Sequence, residues 1–168
     1  MKIFTFLILA LVGVGSISSC SKKDEASAED VAKANEFKAF VGAKKFQISE
    51  YYADKAIDYV EDDSEVRTET DLWRYVSLWI KDDFNVFDVS TGTVTITQNE
   101  DKIEGNSSAT ITKPIAIYAK KDGVYFDFLN YQYNPLKYHL VEFTSDHFLV
   151  YANWTGGAKV YTKFVVVP

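Results

Sequence analysis

The sequence predicts a mainly β protein, an antiparallel meander that closes into a barrel or sandwich, with one or two short helices. Three observations predict it. Short runs of alternating apolar and polar residues recur through the second half of the chain, each bounded by a turn signal. No helical pattern separates those runs, so neighbouring strands pair as hairpins instead of through crossover helices. The chain has 168 residues, 47% hydrophobic and 25% charged, with only three Pro and eight Gly. That is one domain, long enough to bury a core without disulfide support. Twelve Phe, eleven Tyr and three Trp make 15% of it aromatic, so ring packing dominates the interior or a surface.

The amino terminus reads as a leader and anchor. Lys2 gives a positive start, an apolar run follows from Ile3 to about Val14, and small residues lead to Cys20. The run is too short to span a bilayer and suits a signal-peptide core. The stretch Ile17-Ser18-Ser19-Cys20 resembles the lipobox of bacterial lipoproteins. The resemblance implies removal of residues 1–19 and acylation of Cys20, the chain's one cysteine. Several acyl chains on one residue make a stable anchor. The charged tether Ser21-Lys22-Lys23-Asp24-Glu25 is similar to that of Bacteroidota lipoproteins. The expected organisation is a signal peptide over 1–19, lipidated Cys20 with tether and short helix over 20–41, and a barrel domain over 42–168.

Ser27-Ala28-Glu29-Asp30 can cap a helix. Val31, Ala34, Phe37, Phe40 and Val41 follow at loosely helical spacing, and Gly42 closes the run. A second helix is expected from Thr70 or Asp71, with Leu72, Val76, Trp79 and Ile80 on one face and Tyr75 beside them. Between the helices lie an alternating strand from Phe46 to Tyr52 and a short one near Ile57 to Val60. The expected barrel strands are Thr93 to Gln98, Ala109 to Ala119, Val124 to Leu129, Lys137 to Phe143, Phe148 to Asn153 and Val160 to Val167.

Turn chemistry sorts the faces. Asp122-Gly123 suits a two-residue hairpin. It pairs Ala119 with Phe126 and Ile117 with Phe128. One face then holds Ile115, Ile117, Phe126 and Phe128, the other Tyr118, Lys120, Tyr125 and Asp127. A two-residue turn at Ser145-Asp146 sets Phe143 opposite Phe148 and Val141 opposite Val150, with Leu140 and Glu142 on the far side. A three-residue loop at Thr155-Gly156-Gly157 turns Val160, Thr162 and Phe164 inward. A two-residue turn would reverse them, because a one-residue slip moves every side chain to the other face. The inward set Ile115, Ile117, Phe126, Phe128, Val141, Phe143, Phe148 and Val150 is the candidate lining for a small apolar ligand. The same residues can also fill a small barrel solidly.

With the strands laid out, the segment from about Gly42 to Pro168 resembles the lipocalin-like lipoproteins of Bacteroidota. The run from Tyr138 to Val150 looks like that family's penultimate hairpin, and Gly157 to Phe164 is similar to its closing strand. The resemblance implies a small up-and-down barrel and does not imply catalysis.

Other chemistry finds little support. The net charge is −6. Lys2 is the one charge in the leader, so the rest holds 17 Lys and Arg against 24 Asp and Glu, net −7. An acidic chain without a basic stripe argues against nucleic acid. A single cysteine excludes an internal disulfide and a thiolate metal cluster. His139 and His147 lie several rungs apart in their hairpin, on the order of 15 Å at strand rise, too far to share a metal. Glu61-Asp62-Asp63-Ser64-Glu65 lacks the glycine and ligand spacing of a calcium loop, and Asp82-Asp83 is a weaker form of the same idea. Asp127 and Glu142 fall on solvent-contacting faces, and no nucleophile elbow, phosphate loop or dinucleotide fingerprint is present. No cofactor is expected.

The expected protein is therefore a non-enzymatic lipoprotein, anchored by its lipid in the outer membrane of a cell envelope and facing the periplasm or the surface. One function is a binding module for a small apolar ligand. The other is an accessory or inhibitor subunit that meets an envelope protein through Tyr125, Tyr131, Tyr133, Tyr138, Tyr151 and Trp154, since tyrosines outside a core favour contact surfaces.

Overall fold

A computed structural model describes residues 25–60, 66–99, 109–129 and 135–168. The leader with Cys20, the acidic run from Glu61 to Glu65, and Tyr131 and Tyr133 lie outside those residues.

Ser27 starts α1 (Ala28–Val41) as expected: its Oγ accepts from the Asp30 backbone N–H at 3.0 Å, with Glu29 and Asp30 in the first turn. Gly42 closes it by donating to the Lys38 carbonyl. The strands follow as β1 (Lys45–Val60), β2 (Val66–Asp71), β3 (Phe84–Asp88), β4 (Thr93–Thr97), β5 (Thr110–Lys120), β6 (Gly123–Leu129), β7 (Pro135–Phe143), β8 (His147–Asn153) and β9 (Lys159–Val167). From β3 to β9 each strand pairs antiparallel with the next, and β1 pairs with both β3 and β9. Among the described residues this closes an eight-stranded up-and-down barrel, with β2 as a flap on the far half of β1. Closure removes the sheet edges that would otherwise invite aggregation.

Two expectations change in the first half. The two short strands foreseen around Tyr52 and Ile57 are one long strand, β1. The helix foreseen from Thr70 is broken into the end of β2, a 3-10 turn (Trp73–Tyr75) and a one-turn helix, α2 (Leu78–Lys81). The apolar spacing there is real, since Leu72 and Tyr75 are buried. The exposed edge of β1 nevertheless takes Val66–Asp71 as a strand partner, and the Leu72 N–H donates to the Tyr51 carbonyl at 3.1 Å. Tertiary pairing outweighs a weak helical preference. Strand β3 has no clean alternation in its sequence, because Phe84-Asn85-Val86-Phe87-Asp88 turns one polar residue, Asn85, inward.

The later hairpins keep their faces with altered partners. The turn expected at Asp122-Gly123 sits at Lys121-Asp122, so Ala119 pairs with Val124, Ile117 with Phe126 and Ile115 with Phe128. Gly123 is drawn into the strand at φ 130°, a backbone region that glycine alone adopts easily. The slip is two residues, so no side chain changes face. The loop before β9 is as expected: Trp154 donates to the Ala158 carbonyl at 2.8 Å, Gly156 and Gly157 take positive φ, and Val160, Thr162 and Phe164 are buried.

The β7–β8 hairpin holds a correction. Phe143 does face Phe148, but Leu140, not Val141, lies opposite Val150. Val141 is the extra residue of a β-bulge and is 38% exposed. A bulge shifts the alternation by one, so Leu140 and Tyr138 point inward while His139 points out. Tyr138 thus belongs to the core and not to the outer surface. A second bulge at Ser49, between Ile48 and Glu50, does the same to β1: Phe46 and Ile48 face the core, Glu50 and Tyr52 face out.

Helix α1 closes the end where β1 starts and β9 finishes. Phe37 is fully buried there, its ring centroid 5.2 Å from Phe148, 5.5 Å from Phe143 and 6.4 Å from Phe126. Phe40 meets Phe46 at 5.4 Å, and the Lys44 ammonium donates to the Ser145 carbonyl.

Candidate functional site

The residues foreseen as a ligand lining converge, with one exception, into a solid layer. Phe126, Phe148 and Val150 are essentially inaccessible, and Ile115 and Ile117 nearly so. Phe128 and Phe143 pack against the same cluster from its margin. Phe46, Phe87 and Phe164 fill the remaining space, with Phe148 stacked on Phe164 at 4.5 Å and edge-on to Phe46 at 5.0 Å. Val141 takes no part, being on the outer bulge. A cleft of about 250 Å³ remains between α1 and β5, touching Lys38, Gly92, Ile115 and Ile117.

One step further from α1, the inward positions turn polar. Asn85 precedes Phe87, Gln98 follows Ile96, Lys113 precedes Ile115, and Thr162 precedes Phe164; all are buried. Lys113 is 1% exposed, and burial pushes its ammonium below the usual lysine range. Asp83 is buried beside this layer. The barrel interior thus has a phenylalanine layer under α1, a polar layer beyond it, and further on a small apolar cluster of Ala53, Ile57, Leu72, Ala158 and Val160.

The outer face carries a feature that the residue list alone does not disclose. Tyr118 pairs with Tyr125, Tyr125 with His139, His139 with Tyr151, Tyr151 with Tyr161, and Tyr161 with Tyr52. Among the described residues, six rings on six neighbouring strands form one row around the barrel. Three pairs are stacked: Tyr118–Tyr125 at 5.6 Å, His139–Tyr151 at 4.6 Å and Tyr52–Tyr161 at 5.1 Å, each within 7° of parallel. Tilted contacts of 4.2 Å and 5.7 Å join them. Lys120 lies over Tyr118 and Tyr125, and Lys159 lies 4.4 Å from the centre of Tyr151.

Hydrogen bonds fix the phenols. Tyr125 donates to Asp122 at 2.6 Å, and Tyr118 donates to Asp127 at 3.0 Å. Desolvation, then the carboxylate partner, pushes both phenols above their usual range, and the Tyr125 bond holds the Asp122 carboxyl below its own. Burial holds the His139 imidazole below its ordinary value, helped by Lys159 and Lys120 and opposed by Asp122. The Asp127 carboxylate is thus occupied by a tyrosine. Glu142 faces His147 at 3.3 Å, and His147 also meets Asp146 at 2.9 Å. No group of three metal-ligating side chains occurs among the described residues.

The row runs into a groove on β1. On one side β1 pairs with β3 at Lys45 and Phe46 and with β2 only from Tyr52 onward. The connector between β2 and β3 bridges the gap: Gln47 Nε2 donates to the Lys81 carbonyl at 2.6 Å. What remains open is a groove of about 350 Å³ lined by Ser49, Glu50, Tyr51, Tyr52, Ala53, Thr70, Asp71 and Trp73. Asp71 Oδ1 accepts from the Trp73 backbone N–H at 3.1 Å, which fixes the turn that brings Trp73 to the groove. Glu50 is paired with Lys163 at 2.8 Å. The helical reading of Thr70 to Lys81 hid this groove, since it never brings Trp73 beside Tyr52.

No protein-family model and no curated protein matches the chain.

Proposed function

We propose that this chain is a lipid-anchored protein of the bacterial cell envelope, held at the membrane through Cys20, whose barrel is a non-catalytic recognition module working through its outer surface. The anchor rests on the order of positive start, apolar run, small residues and cysteine. The recognition reading is carried by one contrast: the foreseen lumen lining is packed solid, while six rings, Tyr125 buried and the other five half-buried, run along the outer face with Lys120 and Lys159 over them. Such amphipathic, rotamer-poor side chains make contact area at low entropic cost.

Two experiments test it. Metabolic acyl labelling of the full chain and of Cys20→Ser is expected to label only the first, with the variant released from membranes. Crosslinking in native envelopes, comparing the wild type with Tyr151→Ser/Tyr161→Ser, is expected to lose a specific crosslinked partner in the double variant. An unlabelled wild type contradicts the anchor, and an identical crosslink pattern contradicts the surface.

A second reading has one observation in its favour. The cleft between α1 and β5 touches Ile115 and Ile117, so a small apolar ligand entering there would displace α1 from the barrel end. Native mass spectrometry of the purified full chain checks this. A bound apolar species that leaves on denaturation would favour the lumen over the surface.

A further inference from the structure

The geometry points to the β1 groove as a binding site for a neutral saccharide. The groove is distinct from the lumen and within the size of small-molecule sites. This inference deepens the surface-recognition reading and rests on it.

The lining is selective by its chemistry. Two ring systems, Tyr52 and Trp73, stand on different elements and meet at the same groove because Tyr52 pairs with Asp71 across β1 and β2. Tyr52 is held in advance, stacked on Tyr161 within 7° of parallel, and Trp73 stands on a turn fixed by its backbone N–H on the Asp71 carboxylate, with Lys81 over one face of the indole. A ligand ring stacking on the open face therefore costs little side-chain ordering.

The polar groups exclude other ligands. The lining includes Glu50 and Asp71 and no Lys or Arg, which disfavours phosphates and carboxylates. An apolar ligand would strip those carboxylates and the Thr70 hydroxyl of water without replacing it. A cation would find Asp71 as its one lining carboxylate not already met by a lysine, since Lys163 meets Glu50, and Lys81 already covers one face of Trp73. A neutral polyol fits all of these: C–H faces for the rings and hydroxyl donors for the carboxylate oxygens. Ser49 adds an independent observation. It is the bulged residue of β1, it lines the groove, and its buried Oγ has no hydrogen-bond partner. Leaving such a group unmet carries a desolvation cost, and bulges are enriched beside binding sites.

The test uses the full chain in a detergent without a sugar headgroup, titrated with cellobiose, maltose, xylobiose and diacetylchitobiose by saturation-transfer NMR. At least one disaccharide is expected to bind. Trp73→Ala is expected to bind about tenfold more weakly, the size of one lost stacking contact, while Trp154→Ala, in the β8–β9 loop, binds as the wild type does. Should Trp73→Ala unfold, Glu50→Gln keeps both rings and is expected to weaken binding with an unchanged melting curve. Binding by none of the four sugars, binding indifferent to Trp73 and Glu50, or displacement of the sugar by choline overturns the proposal. Tyr151→Ser alone leaves Tyr52 on Tyr161 and Trp73 in place, so loss of a crosslinked partner in that variant and loss of sugar binding in Trp73→Ala are separable results.

Discussion

His139 lies flat against Tyr151, ring centroids 4.6 Å apart and planes 6° from parallel, at a paired rung of β7 and β8. The contact exists because Val141 is bulged out of β7; without that extra residue His139 would point into the barrel. One irregular residue thus sets both the core of β7 and the outer row.

The stacked imidazole makes stability depend on pH. Burial, with Lys159 and Lys120, lowers the folded-state value of His139 beneath its ordinary 6.5. The unfolded chain therefore takes up the proton first as pH falls, and stability drops from about 6.5 downward until the folded value is passed. His139→Phe keeps a ring in the row without a titrating group. Thermal melting below pH 6.5 is expected to fall less steeply in that variant than in the wild type, and parallel slopes would contradict the assignment.

At high pH the sign reverses. Tyr125 ionises well above its ordinary value of 10.0, because of burial and its bond to Asp122. The stability this contributes is whole below 10.0 and is lost as pH rises beyond it. Ultraviolet titration is expected to show a tyrosine fraction that ionises only with unfolding, and Tyr125→Phe to make that fraction smaller. A single smooth titration of all tyrosines in folded protein would count against it.

The bulge predicts opposite outcomes for adjacent residues. Leu140 is 8% exposed and Val141 38%. Leu140→Ala is expected to cost about 2–5 kcal/mol by urea unfolding, and Val141→Asn about 0.5 kcal/mol or less. The reverse order would restore the regular hairpin.

Phe37 is the helix residue that seals the barrel end. Phe37→Ala is expected to cost about 3–5 kcal/mol and to raise binding of a hydrophobic dye by opening the space beside Phe126, Phe143 and Phe148. Unchanged unfolding and dye binding would mean that α1 does not plug the barrel.

Much of this was legible in the residues themselves. Ser27 and Gly42 marked both ends of α1 because capping is a local interaction. The inward positions of β5, β6, β8 and β9 followed from period-two alternation. They survived a two-residue slip at Asp122-Gly123, since an even shift leaves every face in place. The existence of Val141 and Ser49 as bulges was not legible, because an extra residue is defined only against the strand it faces. The outer row needed five registers at once, and two of its members, His139 and Tyr52, face outward only because of those bulges. Trp73 came beside Tyr52 only when the long edge of β1 claimed Val66–Asp71 from the expected helix. Local propensity and alternation determined which residues could be inside. Cross-strand pairing, which depends on distant parts of the chain, decided which side chains meet.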